Sequence, residues 1–177
     1  KHFVYSSVGG AERNTGIPHF ESKRRIEEHI EAIKIPYTIL RPVYFMENLY
    51  WKKQDILNGR FTSIGLDQNK PLQMIAVDDI GAFARLAFEN PTKFLGQAIE
   101  IAGDELTEFE IAEEIGQALH HSIEVVPANG PPPSTDIALM NAWFNEKGYE
   151  ANIDQLRVIL PELTNFETWL KSSRLLA

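Results

Sequence analysis

The stretch HFESK, residues 19 to 23, places an imidazole and an ammonium four residues apart at the start of a helical pattern. One turn of helix separates them, so both side chains share a face. A histidine can pass a proton near neutral pH, and a lysine can donate hydrogen bonds to a sugar or a phosphate. The apolar residues that follow, Ile26, Ile30 and Ile33, continue the same spacing. This predicts one continuous stripe, His19–Lys23–Ile26–Ile30–Ile33, on the buried side. A lysine near a helix N-terminus opposes the macrodipole, so something other than the helix is expected to hold Lys23 there. The plainer reading is a lysine whose stem covers apolar surface while its ammonium reaches water. His19 taken alone reads as a packed or surface histidine.

The elements around this pair decide what it can reach. Residues 2–6, from His2 to Ser6, read as a short buried strand that ends in the turn-formers Ser7, Gly9 and Gly10. Pro18 suits the first turn of the helix and Pro36 closes it. Glu21 with Arg25, and Arg24 with Glu28, are expected to pair on the wet face. YTIL, residues 37–40, is a second strand that ends at Arg41-Pro42. Strand, helix and strand in this order form a βαβ unit with parallel strands. Ligands of open α/β sheets bind at the carboxyl ends of the strands. Ser6, His19 and Lys23 therefore converge with Arg41-Pro42 on one rim by topology alone.

Downstream, MENLYWKKQDILNG reads as a helix stopped by Gly59, and RFTSIG and LQMIAV as short strands around the turn LDQNKP. Asp78 or Asp79 is expected to cap the helix DIGAFARLAFEN, which Pro91 ends. QAIEIAG is a strand, and Thr107 with Glu110 forms a capping box before FEIAEEIGQALHH. SIEVVP is again a strand, NGPPPS a rigid connection, and DIALMNAWFNEKG a helix. A second capping box, Thr164 to Glu167, is expected to start the last helix, NFETWLKSS. Alternating strands and helices give an α/β class. Only two clear strands lie in the βαβ part, fewer than a parallel sheet covered on both faces needs. The apolar run begins at His2 without an initiator Met, so a segment is expected to precede Lys1.

Bulk properties exclude several classes. A net charge of −8 and a pI of about 5.1 argue against direct nucleic-acid binding, which needs a basic face. With no cysteine there is no disulfide scaffold, zinc–thiolate site or thiol nucleophile, and a reducing cytoplasmic setting is expected. No apolar run approaches the ~18 residues that span a bilayer, so no membrane association is expected. Among other candidates, Asp78-Asp79 are better explained by capping than by acid–base work. His120-His121 lack a metal partner at suitable spacing, and EFEIAEE reads as a solvated helix face. No G-x-G-x-x-G or Walker-type loop occurs in the 177 residues, and no metal site is expected.

In this order, HFVYSSVGG, HFESK, PYTILRPVYFMENL, MIAVDDIG and ELTEFEIAEEIG resemble the NmrA-like proteins, atypical members of the short-chain dehydrogenase/reductase superfamily. The resemblance runs from Lys1 to about Leu119, and the region after Ser134 fits it loosely. It implies a Rossmann-type doubly wound parallel sheet, partial from about the fifth strand, with a small α+β C-terminal lobe. Residues 1–60 would be the C-terminal part of the dinucleotide-binding domain. Residues 61–177 would be a small substrate or partner lobe, interleaved with the last sheet elements. The glycine-rich pyrophosphate turn would lie in the preceding segment.

The resemblance also implies roles. Lys23 matches the lysine that hydrogen-bonds the nicotinamide ribose, and Ser6 takes the strand-end position beside the ring. Tyr44, Phe45, Met46, Glu47 and Asn48 match the nicotinamide-side loop, and Tyr44, Phe45 and Trp51 would line the substrate side. The implied cofactor is NADP, with NAD left open. His19 stands where dehydrogenases of the superfamily carry a tyrosine, and it would be at most an auxiliary proton donor. The two activities implied are reduction of quinone-like or small aromatic carbonyl substrates by NAD(P)H, and non-catalytic dinucleotide sensing by a redox regulator that binds protein partners. A small-molecule substrate and a homodimer or protein partner are compatible with both.

Overall fold

The computed structural model of the chain describes residues 1–67, 69–128 and 130–176. Strand β1 (Phe3–Ser6) leads through a 3-10 turn at Ala11–Arg13 into α1 (Pro18–Ala32), then β2 (Tyr37–Pro42) and β3 (Tyr44–Phe45). A 3-10 helix, Met46–Lys52, runs into α2 (Lys53–Leu57), β4 (Arg60–Thr62), β5 (Leu72–Ile75) and α3 (Val77–Glu89). Next come α4 (Pro91–Phe94), β6 (Ala98–Ile101), β7 (Asp104–Leu106), α5 (Glu108–Leu119) and β8 (Glu124–Val126). Three helices close the chain: α6 (Thr135–Glu146), α7 (Ile153–Ile159) and α8 (Phe166–Ser172).

The βαβ unit forms as read, except that β1, expected to be buried, leaves Phe3 and Ser6 exposed. β1 and β2 are parallel, with Ser6 opposite Leu40, and β6 adds in parallel on the far side of β2 with Ile101 opposite Pro42. Alternation along β2 sends Leu40 to one face and Arg41 to the other. Leu40 packs in one apolar cluster with Phe83 of α3, whereas Arg41 meets Glu27 of α1. Helices thus cover both faces, which is the doubly wound arrangement. A second sheet runs β3-β5-β7, with β3 and β5 parallel and β7 antiparallel, and β4 pairs in parallel with β8. Among the described residues no helix is long and apolar enough to cross a membrane.

The stripe on α1 is not the expected one. Ile30 is 4% exposed, but Ile26 and Ile33 are 44% and 50% exposed. The buried line runs instead through Phe20, Glu27 and Ile30. Its spacing also passes through half-buried Lys23, so the lysine keeps its inward position in different company. The physical reason is Arg41. Its Nε and one terminal nitrogen donate to the two Glu27 oxygens at 3.0 and 2.8 Å, and the Glu27 side chain is fully buried. Burial alone would raise the Glu27 carboxyl, but the hydrogen bonds and charges of Arg41 and Arg24 outweigh it and hold it below its usual range. A charged residue therefore occupies the core-facing turn that an isoleucine was expected to fill.

Capping also differs in places. The Thr107–Glu110 box forms, but neither Asp78 nor Asp79 caps α3. Ala76 is the N-cap residue, and the Glu47 carboxylate from the preceding 3-10 helix accepts the Val77 N–H at 3.1 Å from both oxygens. Asp79 accepts the N–H and hydroxyl of Thr164 instead, so Thr164 does not open a capping box; Asn165 caps α8 and Glu167 pairs with Lys171. Glu21 turns back to the Gly16 N–H and the Thr15 hydroxyl rather than to Arg25, while Arg24 meets Glu28 at 3.2 Å as read. The helix expected over 46–59 is half 3-10, and Pro91 both ends α3 and starts α4. Glu108, read as solvated, is 6% exposed and accepts from the Ser63 hydroxyl. The turn over 66–71 and the connection over 129–134 include Gln68 and Asn129, which lie outside the described residues.

Candidate functional site

A cavity of about 380 Å³ opens at the carboxyl ends of β1 and β2. Ser6 and Ser7 end β1, Pro42 and Val43 end β2, and His19, Phe20 and Lys23 come from the first turns of α1. The antiparallel return of the crossover helix puts its N-terminus at this edge. Tyr44, Phe45 and Asn48 supply a second wall, and Met140 of α6 and Tyr149 a third. Six of the predicted site residues, Ser6, His19, Lys23, Tyr44, Phe45 and Asn48, therefore share one cavity.

Lys23 donates one hydrogen bond to the Ser6 carbonyl at 3.3 Å, and its ammonium lies 5.4 Å from the Tyr5 ring centre. An ammonium has three N–H donors, so among the described residues two are left without a hydrogen-bond partner and can serve a ligand in the cavity. This answers what holds a cation near the helix start: the strand-end carbonyl and an aromatic face offset the unfavourable dipole.

The other predicted residues of the loop do different work. Met46 is fully buried in the main apolar cluster, because the 3-10 turn after Phe45 rotates it inward. Glu47 caps α3 and also accepts the Trp169 indole N–H at 2.9 Å, which leaves its carboxylate committed to the scaffold. Trp51 is 88% exposed and does not line the cavity, in contrast to the expectation that it lies on the substrate side.

His19 is not a lone histidine. Its Nδ1 is paired with an Asp136 oxygen, and its backbone N–H donates to the other oxygen at 3.2 Å. The ring stands edge-on to Phe20 at 4.6 Å. Asp136, Met140, Tyr149 and Phe20 were not singled out from sequence. Phe20 was adjacent to the signal, but nothing local marks Asp136, which is 117 residues from His19.

Behind the cavity, Arg13 binds Glu100 at 2.9 Å and Glu150 at 2.9 Å, and its guanidinium lies 5.3 Å from the Trp143 ring centre. Trp143 in turn packs edge-on against Phe20 and Tyr149, so the aromatic wall is braced from β6 and α6 together. Burial pushes the Tyr149 phenol up, and nearby Glu100 adds to it. Burial likewise pushes Tyr44 up to about 12, against the opposing effect of Asn48. Both phenols remain protonated through neutral pH. The sign follows for Tyr44. A raised folded-state value favours folding below the ordinary value of 10.0, and that contribution is lost as pH rises toward about 12. Wild type is therefore expected to lose on the order of 2–3 kcal/mol more than Tyr44→Phe across that window. Denaturant unfolding of both proteins at a series of alkaline pH values checks it, and parallel curves would contradict it.

A larger cleft of about 570 Å³ is walled by Glu110, Glu113, Glu114 and Glu167. Glu167 is paired there with Lys171, and the other three carboxylates still repel a phosphate-bearing ligand, so the smaller cavity is the better candidate. Among the described residues no group of three or more metal-ligating side chains could hold an ion.

Known proteins support this architecture. An NmrA-like family domain-containing protein of Dictyostelium discoideum is 27% identical over 192 residues, covering 97% of this chain and 64% of its own. The triphenylmethane reductase of Citrobacter sp. superposes with a TM-score of 0.80 at 16% identity, over 97% of this chain and 64% of that one. An NADPH-dependent quinone oxidoreductase of Escherichia coli gives 0.78 at 17% identity, over 97% and 67%. NmrA, a negative transcriptional regulator solved in complex with NADP, gives 0.75 at 15% identity, over 97% and 63%. At such identity the three structures establish the fold they share with this chain. The chain spans about two thirds of the length of these relatives. The NmrA-like family model matches residues 1–170, and the chain belongs to that family.

Proposed function

We propose that the cavity at the β1–β2 rim takes the nicotinamide end of a dinucleotide and that the protein is an NAD(P)H-dependent reductase of quinone-like or small aromatic carbonyl substrates. The observation that carries this reading is Lys23, fixed by the Ser6 carbonyl with two donors to spare beside a largely aromatic wall. A ribose diol presents two oxygens at the spacing an ammonium can serve, and a flat ring suits Phe20, Tyr44, Phe45 and Tyr149. The pair of requirements fits the nicotinamide riboside half of the cofactor, whose reduced ring supplies a hydride. In this site Lys23 orients the ribose, Tyr44 and Asn48 offer polar contacts, and the apolar walls exclude water from the ring.

NADPH is the proposed dinucleotide, with NADH as the alternative; the quinone oxidoreductase, which shares this fold, is NADPH-dependent, while NmrA is solved with NADP and with NAD. A second reading, a dinucleotide-sensing regulator, is favoured by one feature: histidine rather than tyrosine at position 19. Calorimetry separates cofactor binding from chemistry. In the full-length protein, Lys23→Ala is expected to weaken NADPH binding by roughly ten-fold or more, the weight of a charge-assisted hydrogen bond, whereas His19→Ala leaves it near wild type. Equal affinities for wild type and Lys23→Ala would remove the ribose anchor. Reduction of a quinone panel by the wild type then decides between reductase and sensor.

A further inference from the structure

We propose that Asp136 is a positioning residue that holds His19 as the proton donor of this site. The proposal rests on the reductase reading above and adds to it a residue that lies 117 positions from His19 in sequence. One Asp136 oxygen takes the His19 backbone N–H and the other the ring Nδ1, so a single carboxylate fixes both the helix end and the imidazole. Asp136 itself is set by the first turn of α6, whose N-cap Ser134 accepts the Ile137 N–H at 3.2 Å. The edge-on contact with Phe20 holds the ring from the other side. With Nδ1 spent on Asp136, Nε2 is the nitrogen left for a ligand, and among the described residues it has no protein partner. His19 lines the same cavity as Lys23, Tyr44 and Met140.

The arrangement is chemically directional. A carboxylate on Nδ1 selects the tautomer with the proton on Nδ1 and compensates the charge when Nε2 is protonated as well. In quinone reduction the hydride, supplied by the reduced dinucleotide, adds its electron pair to the substrate, and one oxygen must take a proton. The imidazolium Nε2–H bond breaks as the new O–H bond forms. Its electron pair stays on nitrogen, and a neutral imidazole still bonded to Asp136 remains. Water then restores the lost proton. The alternative is a mere latch between α1 and α6. A half-exposed pair of this kind adds little to stability, and a latch does not require a particular tautomer.

Two measurements on the same protein test this. Histidine nitrogen correlation spectra at a pH where the ring is neutral are expected to show His19 protonated on Nδ1, and Asp136→Ala is expected to return it to the Nε2–H tautomer that free side chains favour. Steady-state reduction of a quinone by NADPH is expected to show kcat lower by ten-fold or more in Asp136→Ala, with KM for NADPH unchanged and the thermal midpoint within a degree or two. An Nε2–H tautomer in wild type, or full turnover in Asp136→Ala, overturns the positioning role. Absence of turnover in wild type overturns the reductase reading and the donor role with it, while the spectra still report whether Asp136 sets the ring.

Discussion

Replacing Glu27 by alanine is expected to destabilise the protein by about 3–5 kcal/mol, because it strands a buried guanidinium. Arg41 is 9% exposed, and two of its nitrogens bond the Glu27 oxygens at 3.0 and 2.8 Å. Glu12 still reaches Arg41 at 3.0 Å from a more exposed position, which keeps the loss toward the lower end. The same logic predicts that Glu27→Leu combined with Arg41→Met recovers much of the deficit, since no charge is then left buried. The pH dependence has a definite sign. Glu27 is held below its ordinary value of 4.5, so its contribution is present above that pH and is lost as pH falls below it. The stability gap between wild type and Glu27→Ala should accordingly be full at pH 7 and narrow in acid. Urea unfolding across pH 3 to 7 measures it. A gap under 1 kcal/mol at neutral pH would mean that this pair does not fasten α1 to the sheet.

That pair also explains how a wrong stripe led to a right placement for Lys23. The isoleucines at 26, 30 and 33 have helical spacing, and spacing alone does not say which of two adjacent stripes faces the sheet. The choice was made by Arg41, a residue on another element whose guanidinium needs a carboxylate at position 27. The βαβ unit itself was legible because Pro18, Pro36 and the short apolar runs are local signals. Convergence of Ser6, His19 and Lys23 followed from topology rather than from any pairwise contact. The structural roles of Glu47 and Asp79 escaped the sequence for the same reason as that of Asp136. Each carboxylate finds its partner on a distant segment: Glu47 at Val77 and Trp169, Asp79 at Thr164, and Asp136 at His19. Sequence shows that a carboxylate is present and leaves its choice of partner to the packing of α6, α8 and the loop before them.

Gly103→Ala is expected to cost about 3 kcal/mol or more, the upper range for forcing extra volume into a packed joint. Gly103 lies between β6 and β7, where the chain passes from the parallel sheet to the β3-β5-β7 sheet. A Cβ built there would stand 2.3 Å from the Thr164 carbonyl oxygen. Neither side can withdraw cheaply. The Gly103 N–H donates to the Met74 carbonyl at 2.7 Å, and its own carbonyl accepts from Arg157 at 2.7 Å. Arg157 also holds the Leu163 carbonyl, and Asp79 holds the Thr164 N–H, so residues 163–164 are pinned at both ends. The thermal midpoint should fall by roughly 6–12 °C. Gly81 in α3, where an added Cβ meets nothing within 4 Å, provides the contrast. There alanine should stabilise by about 0.5–1 kcal/mol through helix propensity alone. Equal melting of Gly103→Ala and wild type would show that segment 163–164 yields. In that case the joint beside β6, which also receives the Val43 N–H at Ile101 on the cavity rim, is softer than its hydrogen bonds imply. A large loss with retained NADPH binding would instead place the strain in the β7–α8 side and leave the rim intact.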